Sequence, residues 1–565
     1  MVLASAQSII YYQGLGRSEI DSDHIEGEFM DDDTVSDRRD LNGRFLFDLG
    51  INVEPGKQLR ATAVLRLNNT FGGFYSQGSN LEFRQILLQG VLAEKFNYQI
   101  GDMDLKLTPY TLFNDNENYY EFESDLFGIR RDVVNYENFN NGNNWRLQGI
   151  QSSTTLKYDK VVEKVFVNAF GTRVRRSNIT TTPDRLLLGG NVAITQSDFF
   201  SLGLNTVNML DVVGTSNDTS LTYENHVHTA NFALNKTVAD IPLALIGEFG
   251  LSNTNIQNAT ADLDSSKNGG FYDIGITADI KKINTRIALS YRMVNDAFIS
   301  PGAQSRRILS GPQNMYFTPT TLFTAGLNGS GLRNQTLYDR ITDENMFNQS
   351  LSPTLMHYNP AYNNVTPYGV ATPNRKGLSF DVNHGNKDSL LFAHVHADLL
   401  SETIGEGQSE RRNFTAIEGG LLLNVSKLIQ TKRLLALSSG FKLEQTKRAS
   451  NTTSVDLSST LLDVGLAVET FKKLDLLLGL KTVSASGNEY YNLRGADLND
   501  ISNYIALDMD FKETVSALGL RYRFSDVSFF TLNANLISFD EKQDDVYAKR
   551  DYTISQYYFN FTVKF

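Results

Sequence analysis

Read with a period of two, this chain sorts apolar from polar residues over most of its length. Phe45, Phe47, Leu49, Ile51 and Val53 alternate with Arg44, Asp48 and Asn52. Leu59, Ala61, Ala63, Leu65 and Leu67 alternate with Arg60, Thr62, Arg66 and Asn68. Far down the chain, Ile283, Ile287, Leu289 and Tyr291 alternate with Asn284, Arg286, Ser290 and Arg292. Leu474, Leu476, Leu478 and Leu480 oppose Asp475, Gly479 and Lys481, and Phe530, Leu532, Ala534 and Leu536 oppose Thr531, Asn533 and Asn535. A strand points successive side chains to opposite faces, so each segment reads as a strand with one apolar and one wetter face. No stretch reaches the roughly 20 consecutive apolar residues that a spanning helix needs.

A soluble sandwich alternates in the same way, with its apolar face on a second sheet. Here the texture runs on without a domain seam through 565 residues. Tight connections (Val53 to Lys57, Ala93 to Lys95, Lys281-Lys282, Phe471 to Lys473) exchange with long polar ones at 105–143, 176–184, 213–221, 254–268 and 487–500. Membrane barrels have short periplasmic turns and longer external loops, and in lipid an open sheet edge would leave backbone groups unpaired. The predicted fold is therefore all-β: a transmembrane, antiparallel, up-and-down β-barrel of about 20 strands, between roughly 18 and 22. The first clear strand is near Arg44, and a further strand at Ile9–Gly16 makes the count even. Residues 503–524 change phase: Ile505, Leu507, Met509 and Phe511 set one, and Leu518, Leu520, Tyr522 and Phe524 the other. That predicts either a turn at Lys512-Glu513-Thr514 or one long bulged strand.

The final residues, YYFNFTVKF, place Tyr557, Phe559, Phe561, Val563 and Phe565 on one face and Tyr558, Asn560, Thr562 and Lys564 on the other. This stretch resembles the C-terminal signal of bacterial outer-membrane β-barrel proteins, which end in a strand with a terminal Phe. The resemblance implies a porin-like barrel in the bacterial outer membrane, with lipid around it and the barrel-assembly machinery as a partner during biogenesis. The Asn- and Tyr-rich texture is similar to that of outer-membrane proteins of Bacteroidota. Ala4-Ser5-Ala6 has the small-x-small form of a signal-peptidase site, so residues 1–6 are read as a signal-peptide remnant and 7–565 as one barrel.

Composition excludes several classes. A net charge of −12 and the lack of a basic run argue against nucleic acid. Cysteine is absent, as suits an oxidising compartment. No nucleophile elbow, phosphate loop or His-Glu-x-x-His motif is present, so no enzyme activity and no cofactor are expected.

Site candidates follow from which face each residue occupies. Arg44, Arg60, Arg66, Arg286, Arg292, Arg521 and Arg523 fall on inferred inward faces, because an arginine facing mid-bilayer lipid costs about 2–4 kcal/mol. Fixed lumen cations favour anionic solutes. Asp48, Asp273, Asp279, Asp475, Asp508 and Asp510 are placed inward too, so ion pairs bracing the wall are the alternative. Two His-x-His pairs, His226 with His228 and His394 with His396, could each offer two rings to one metal, although neutral rings on a wet wall explain them equally and no metal is assigned. The second pair shares its face with Asp398 and is expected to face the lumen, while the direction of the first is open.

Residues 297–375 hold seven of the chain's 11 prolines with six tyrosines and phenylalanines, which predicts one long ordered loop, either external or folded into the lumen. The function expected is passive diffusion of small hydrophilic solutes, with a preference for anions. One alternative is a structural subunit of an outer-membrane assembly, secretion or uptake complex, with its lumen plugged by 297–375. A second is a FadL-like transporter of hydrophobic compounds, suggested by Asn359-Pro360-Ala361. A TonB-dependent transporter is not expected, since no plug domain precedes the first clear strand.

Overall fold

The computed structural model describes residues 8–27, 38–56, 58–70, 79–115, 121–140, 142–158, 161–217, 221–258, 263–305, 351–356, 358–495, 498–542 and 552–565. They form a closed antiparallel barrel of 22 strands. The first wall runs β1 (Ile9–Gly27), β2 (Arg38–Gly56), β3 (Leu59–Thr70), β4 (Ser79–Leu92) and β5 (Phe96–Leu105). After a helix, α1 (Asp125–Glu137), follow β6 (Trp145–Lys157), β7 (Lys164–Arg175), β8 (Arg185–Thr195), β9 (Phe200–Asp211), β10 (Leu221–Val238), β11 (Ile241–Asn258), β12 (Leu263–Ile280) and β13 (Thr285–Val294). A short strand outside the barrel, β14 (Pro367–Val370), precedes β15 (Arg375–His384), β16 (Leu391–Ser401), β17 (Asn413–Leu423) and β18 (Leu435–Arg448). The ring is completed by β19 (Val455–Phe471), β20 (Leu474–Arg494), β21 (Ile501–Arg523), β22 (Phe529–Glu541) and β23 (Tyr552–Lys564).

Closure is made by β1 and β23, in register from Leu15 opposite Lys564 to Gly27 opposite Tyr552. Just beyond the strand end, Gly14 and Phe565 exchange backbone hydrogen bonds of 2.8 and 3.1 Å. A closed ring leaves no sheet edge unpaired, which is the condition for crossing lipid with strands.

The outer face carries the apolar band. Leu204, Phe249, Leu251, Ile274, Ile276, Leu289, Leu399, Leu518, Leu532 and Leu536 all stand exposed. At the short-turn end Tyr522, Phe524, Phe530, Phe559 and Phe561 pack into an aromatic girdle, with Tyr522 and Phe530 stacked 5.8 Å apart. On the last strand Tyr558, Asn560 and Thr562 are buried inward, leaving Tyr557, Phe559, Phe561 and Val563 on the outer face. Above the band, on β9–β12, the outer face turns polar, with His226 against Asn208, His228 against Thr206 and Asn253 against Asn268. The strands thus run past the bilayer at the long-loop end.

Several connections are shorter than the sequence predicts for the same reason. β11 and β12 continue through most of 254–268, and β20 reaches Arg494, so only 495–500 of 487–500 is a connection. The stretch 20–40 is not one loop: β1 extends to Gly27 and β2 begins at Arg38, with Asp31-Asp32-Asp33 outside the described residues.

β21 neither turns nor bulges at Lys512-Glu513-Thr514. Its register with β20 is unbroken from Asn503 opposite Leu493 to Tyr522 opposite Leu474. What changes is the surroundings. Near the short turns the outer residues Leu518 and Leu520 meet lipid, whereas Leu507, Met509 and Phe511 point inward and are buried against in-folded chain. Asp508 and Asp510 consequently stand exposed on the outer face, not inward, where the strand has left the bilayer.

Candidate functional site in the barrel lumen

The lumen is occupied by two connections that fold inward. The segment from β5 to β6 carries α1, and its sequence explains the helix: Asp125 sits in the first turn, and Leu126, Phe127, Ile129, Val133 and Val134 recur at helical spacing and are buried. That pattern was legible inside a stretch otherwise read as polar loop. The second connection joins β13 to β15. Its described parts, 295–305 and 351–374, also lie inside, and 306–350 falls outside the described residues.

The α1 segment rests on a bed of glycines. A Cβ on Gly420 would meet Phe122 at 2.3 Å, one on Gly465 would meet Ser124 at 2.0 Å, and one on Gly479 would meet Phe127 at 2.9 Å. Gly465 and Gly479 are directly opposite in register on β19 and β20. These positions lack side chains because the segment occupies the space they would fill.

Charges hold the segment to both sides of the barrel. Lys481 of β20 bonds Glu123 and lies 3.1 Å from Asp463 of β19. Glu123 also receives the Arg131 guanidinium. Burial pushes the Glu123 carboxyl up, but Arg131 and Lys481 outweigh it and hold it well below the usual carboxylate range. Arg521 of β21 reaches Asp125 at 3.0 Å. On the opposite wall, Arg130 bonds Glu19 of β1 and the Tyr558 hydroxyl of β23. Glu137 accepts from Arg17 at 2.9 Å and Arg66 at 2.6 Å, and the Tyr136 hydroxyl donates to Asp48.

The second connection seals the long-loop half. Ser300 donates to the Tyr110 carbonyl, and the Trp145 indole donates to the Gly302 carbonyl, tying the two connections together. Tyr362 donates to Glu513 at 3.2 Å, and Asn364 bonds Glu444, Thr446 and Glu489 on the wall. Asn359-Pro360-Ala361 is a turn in this packing, with Ala361 fully buried.

Each arginine singled out from the sequence has an acidic partner. Arg44 pairs with Glu19, Arg60 with Glu54, Arg66 with Asp48 and Glu137, and Arg286 with Asp279 at 3.7 Å. Arg292 pairs with Asp398, Arg521 with Asp475 and Asp125, and Arg523 with Asp475 and Glu469. Arg60 and Arg286 sit near the short turns and are the more exposed. The sequence did not flag Arg17, Arg84, Arg130, Glu19 or Lys481. Of these, Lys481 alternates cleanly with the leucines of β20 and was the one within reach.

His394 and His396 do face the lumen. His394 Nε2 lies 2.6 Å from Asp381, and His396 lies 3.4 Å from both Asp381 and Asp398. His226 and His228 face outward, on the polar ladder above the apolar band. Among the described residues no group of three or more His, Cys, Asp or Glu is arranged to hold a metal ion.

A closed ring of strands, apolar outside and charged within, is the architecture of an outer-membrane β-barrel. The chain is one. No family model matches it, and no curated protein matches it. Among solved structures it is similar to the copper transporter OprC, with 10% identity, coverage of 97% of this chain and 80% of that one, and a TM-score of 0.48. It is also similar to the ferric citrate transporter FecA (8% identity, 98% and 78% coverage, TM-score 0.47) and to Pseudomonas aeruginosa OpdQ (11% identity, 98% coverage of both chains, TM-score 0.35).

Proposed function

We propose that this barrel is an outer-membrane channel for small hydrophilic solutes, closed in the conformation described by its own β5–β6 segment. The observation that carries the reading is the tethering of α1 to opposite walls: β19–β21 through Glu123 and Asp125, and β1–β3 through Arg130, Tyr136 and Glu137. A barrel of this strand number has an aqueous interior unless something fills it. Displacing α1 is then the opening step, and solutes cross by diffusion along a wall lined with paired charges. The terminal strand, with its outward aromatic face, is the segment we assign to recognition by the assembly machinery.

A preference for anionic solutes is the finer part of the reading. The seven arginines found by sequence lend it little support individually, since each is already paired. Support comes instead from the cluster at β1–β4, where guanidiniums outnumber carboxylates.

The test is single-channel conductance in a planar bilayer, for the intact protein and for a variant with 121–140 replaced by a short Gly/Ser linker. Near-silence that becomes steady conductance in the variant supports a gated channel, and the reversal potential in a salt gradient then reads ion preference. Silence in both, with stoichiometric co-purification of another outer-membrane protein, supports the second reading, a plugged structural subunit. The glycine bed under Phe122–Phe127 favours that reading, because it suits a permanent seat.

A further inference from the structure

The lumen contains two comparable clusters of arginine and carboxylate, and only one of them balances. At the long-loop end Arg375, Arg412 and Arg494 surround a small cavity of about 40 Å³ with Glu402, Glu406 and Glu489, one carboxylate for each guanidinium. Arg412 bonds Glu402 and Glu489, and Arg494 bonds Glu406.

The cluster between β1–β4 and the last turn of α1 is different. Arg17, Arg44, Arg66, Arg84 and Arg130 gather around Glu19, Asp48 and Glu137, leaving a surplus of two positive charges. Every carboxylate oxygen is already engaged. Asp48 takes Arg66 on both oxygens and Tyr136 on one. Glu137 takes Arg17 on one oxygen and Arg66 on the other, and Glu19 takes Arg130 with Tyr558 on one and Arg44 on the other. Glu82, opposite Arg66 in register, stands exposed and joins none of these ion pairs among the described residues.

Arg84 lies 3.6 Å from Asp48 and 3.9 Å from Glu137, stacks at 4.2 Å on the rings of both Tyr136 and Phe139, and hydrogen-bonds the Tyr136 carbonyl. Arg17 is 3% exposed, and its Nε has no hydrogen-bond partner among the described residues. Burying charge without a counter-charge is costly, and guanidinium forks match the oxygens of phosphate-like anions.

We propose that this cluster is an oxyanion-binding site that takes one dianionic, phosphate-type group from the lumen, approached past Arg44 and Arg130, the more open members. The bound group neutralises the surplus and receives the Arg17 Nε and the free edge of Arg84. A free phosphate and a phosphorylated solute share this chemistry. Occupancy also secures the C-terminal turn of α1, since Arg17 and Arg66 both hold Glu137.

The test needs no conduction, so its failure and the failure of the channel reading are separable. Thermal unfolding of the purified full-length protein in detergent is followed against inorganic phosphate, with sodium chloride at matched ionic strength as reference. The expected result is a saturable rise in Tm with phosphate beyond that with chloride, lost in Arg84→Gln. Without phosphate, Arg84→Gln is expected to unfold no lower than wild type, since it removes surplus charge, whereas Arg412→Gln in the balanced cluster unfolds lower. Should Arg84→Gln fail to fold, Arg17→Gln gives the same reading. Equal responses to phosphate and chloride in wild type, or a full phosphate response in the variants, overturn the site.

Discussion

Gly465 lies directly beneath Ser124: a Cβ built on the glycine would stand 2.0 Å from the Ser124 Cβ. Gly465→Val suits a strand but cannot coexist with the seated segment. The expected outcome is higher conductance from a barrel that still migrates as folded on an unheated gel. A folded Gly465→Val barrel as silent as wild type would show that this contact does not hold the channel shut.

Lys481 is the cation shared by Glu123 and Asp463, all three nearly fully buried. Arg131 remains for Glu123 when the lysine is removed, but Asp463 loses its counter-charge. Lys481→Met is expected to cost about 3–5 kcal/mol, and adding Asp463→Asn should restore most of it. Denaturant midpoints for the two single variants and the double variant measure the coupling, and simple additivity would contradict it.

The Glu123 carboxyl supplies a pH signature. Its folded value is lowered to about 2, against about 4.3 for a free glutamate. A lowered folded value contributes stability that is complete above the free value and is lost as pH falls through the folded one. The stability gap between wild type and Glu123→Gln should therefore be full at neutral pH and close between about pH 4 and about pH 2. A gap that stays constant across that range would mean Glu123 is not ionised in its seat.

Asp510 and Leu518 share the outer face of β21 but stand about 26 Å apart along the strand. The chain has no cysteine, so single replacements can be labelled cleanly. On intact cells a membrane-impermeant maleimide should label Asp510→Cys and spare Leu518→Cys. Labelling of both, or of Leu518→Cys alone, would contradict the placement of the bilayer and the direction of the strands.

The sequence by itself determined the wall. Lipid accepts only apolar side chains and a strand alternates its faces, so Leu518, Leu520, Leu532 and Leu536 announce a barrel without reference to any distant residue. The inward placement of Arg44, Arg66 and Arg292 was legible for the same reason, from their position between outward apolar neighbours. What fills the lumen was decided only by tertiary structure. Phe511 reads as a change of strand phase, yet it marks the place where an inward residue meets Tyr362 instead of water. Glu123 finds Lys481 at a separation of 358 positions, and Arg130 finds Tyr558 at 428. Alternation is a local signal, fixed by each strand's own two faces. Which connection folds back into the ring, and which charges it meets there, depends on contacts that exist only once the ring has closed.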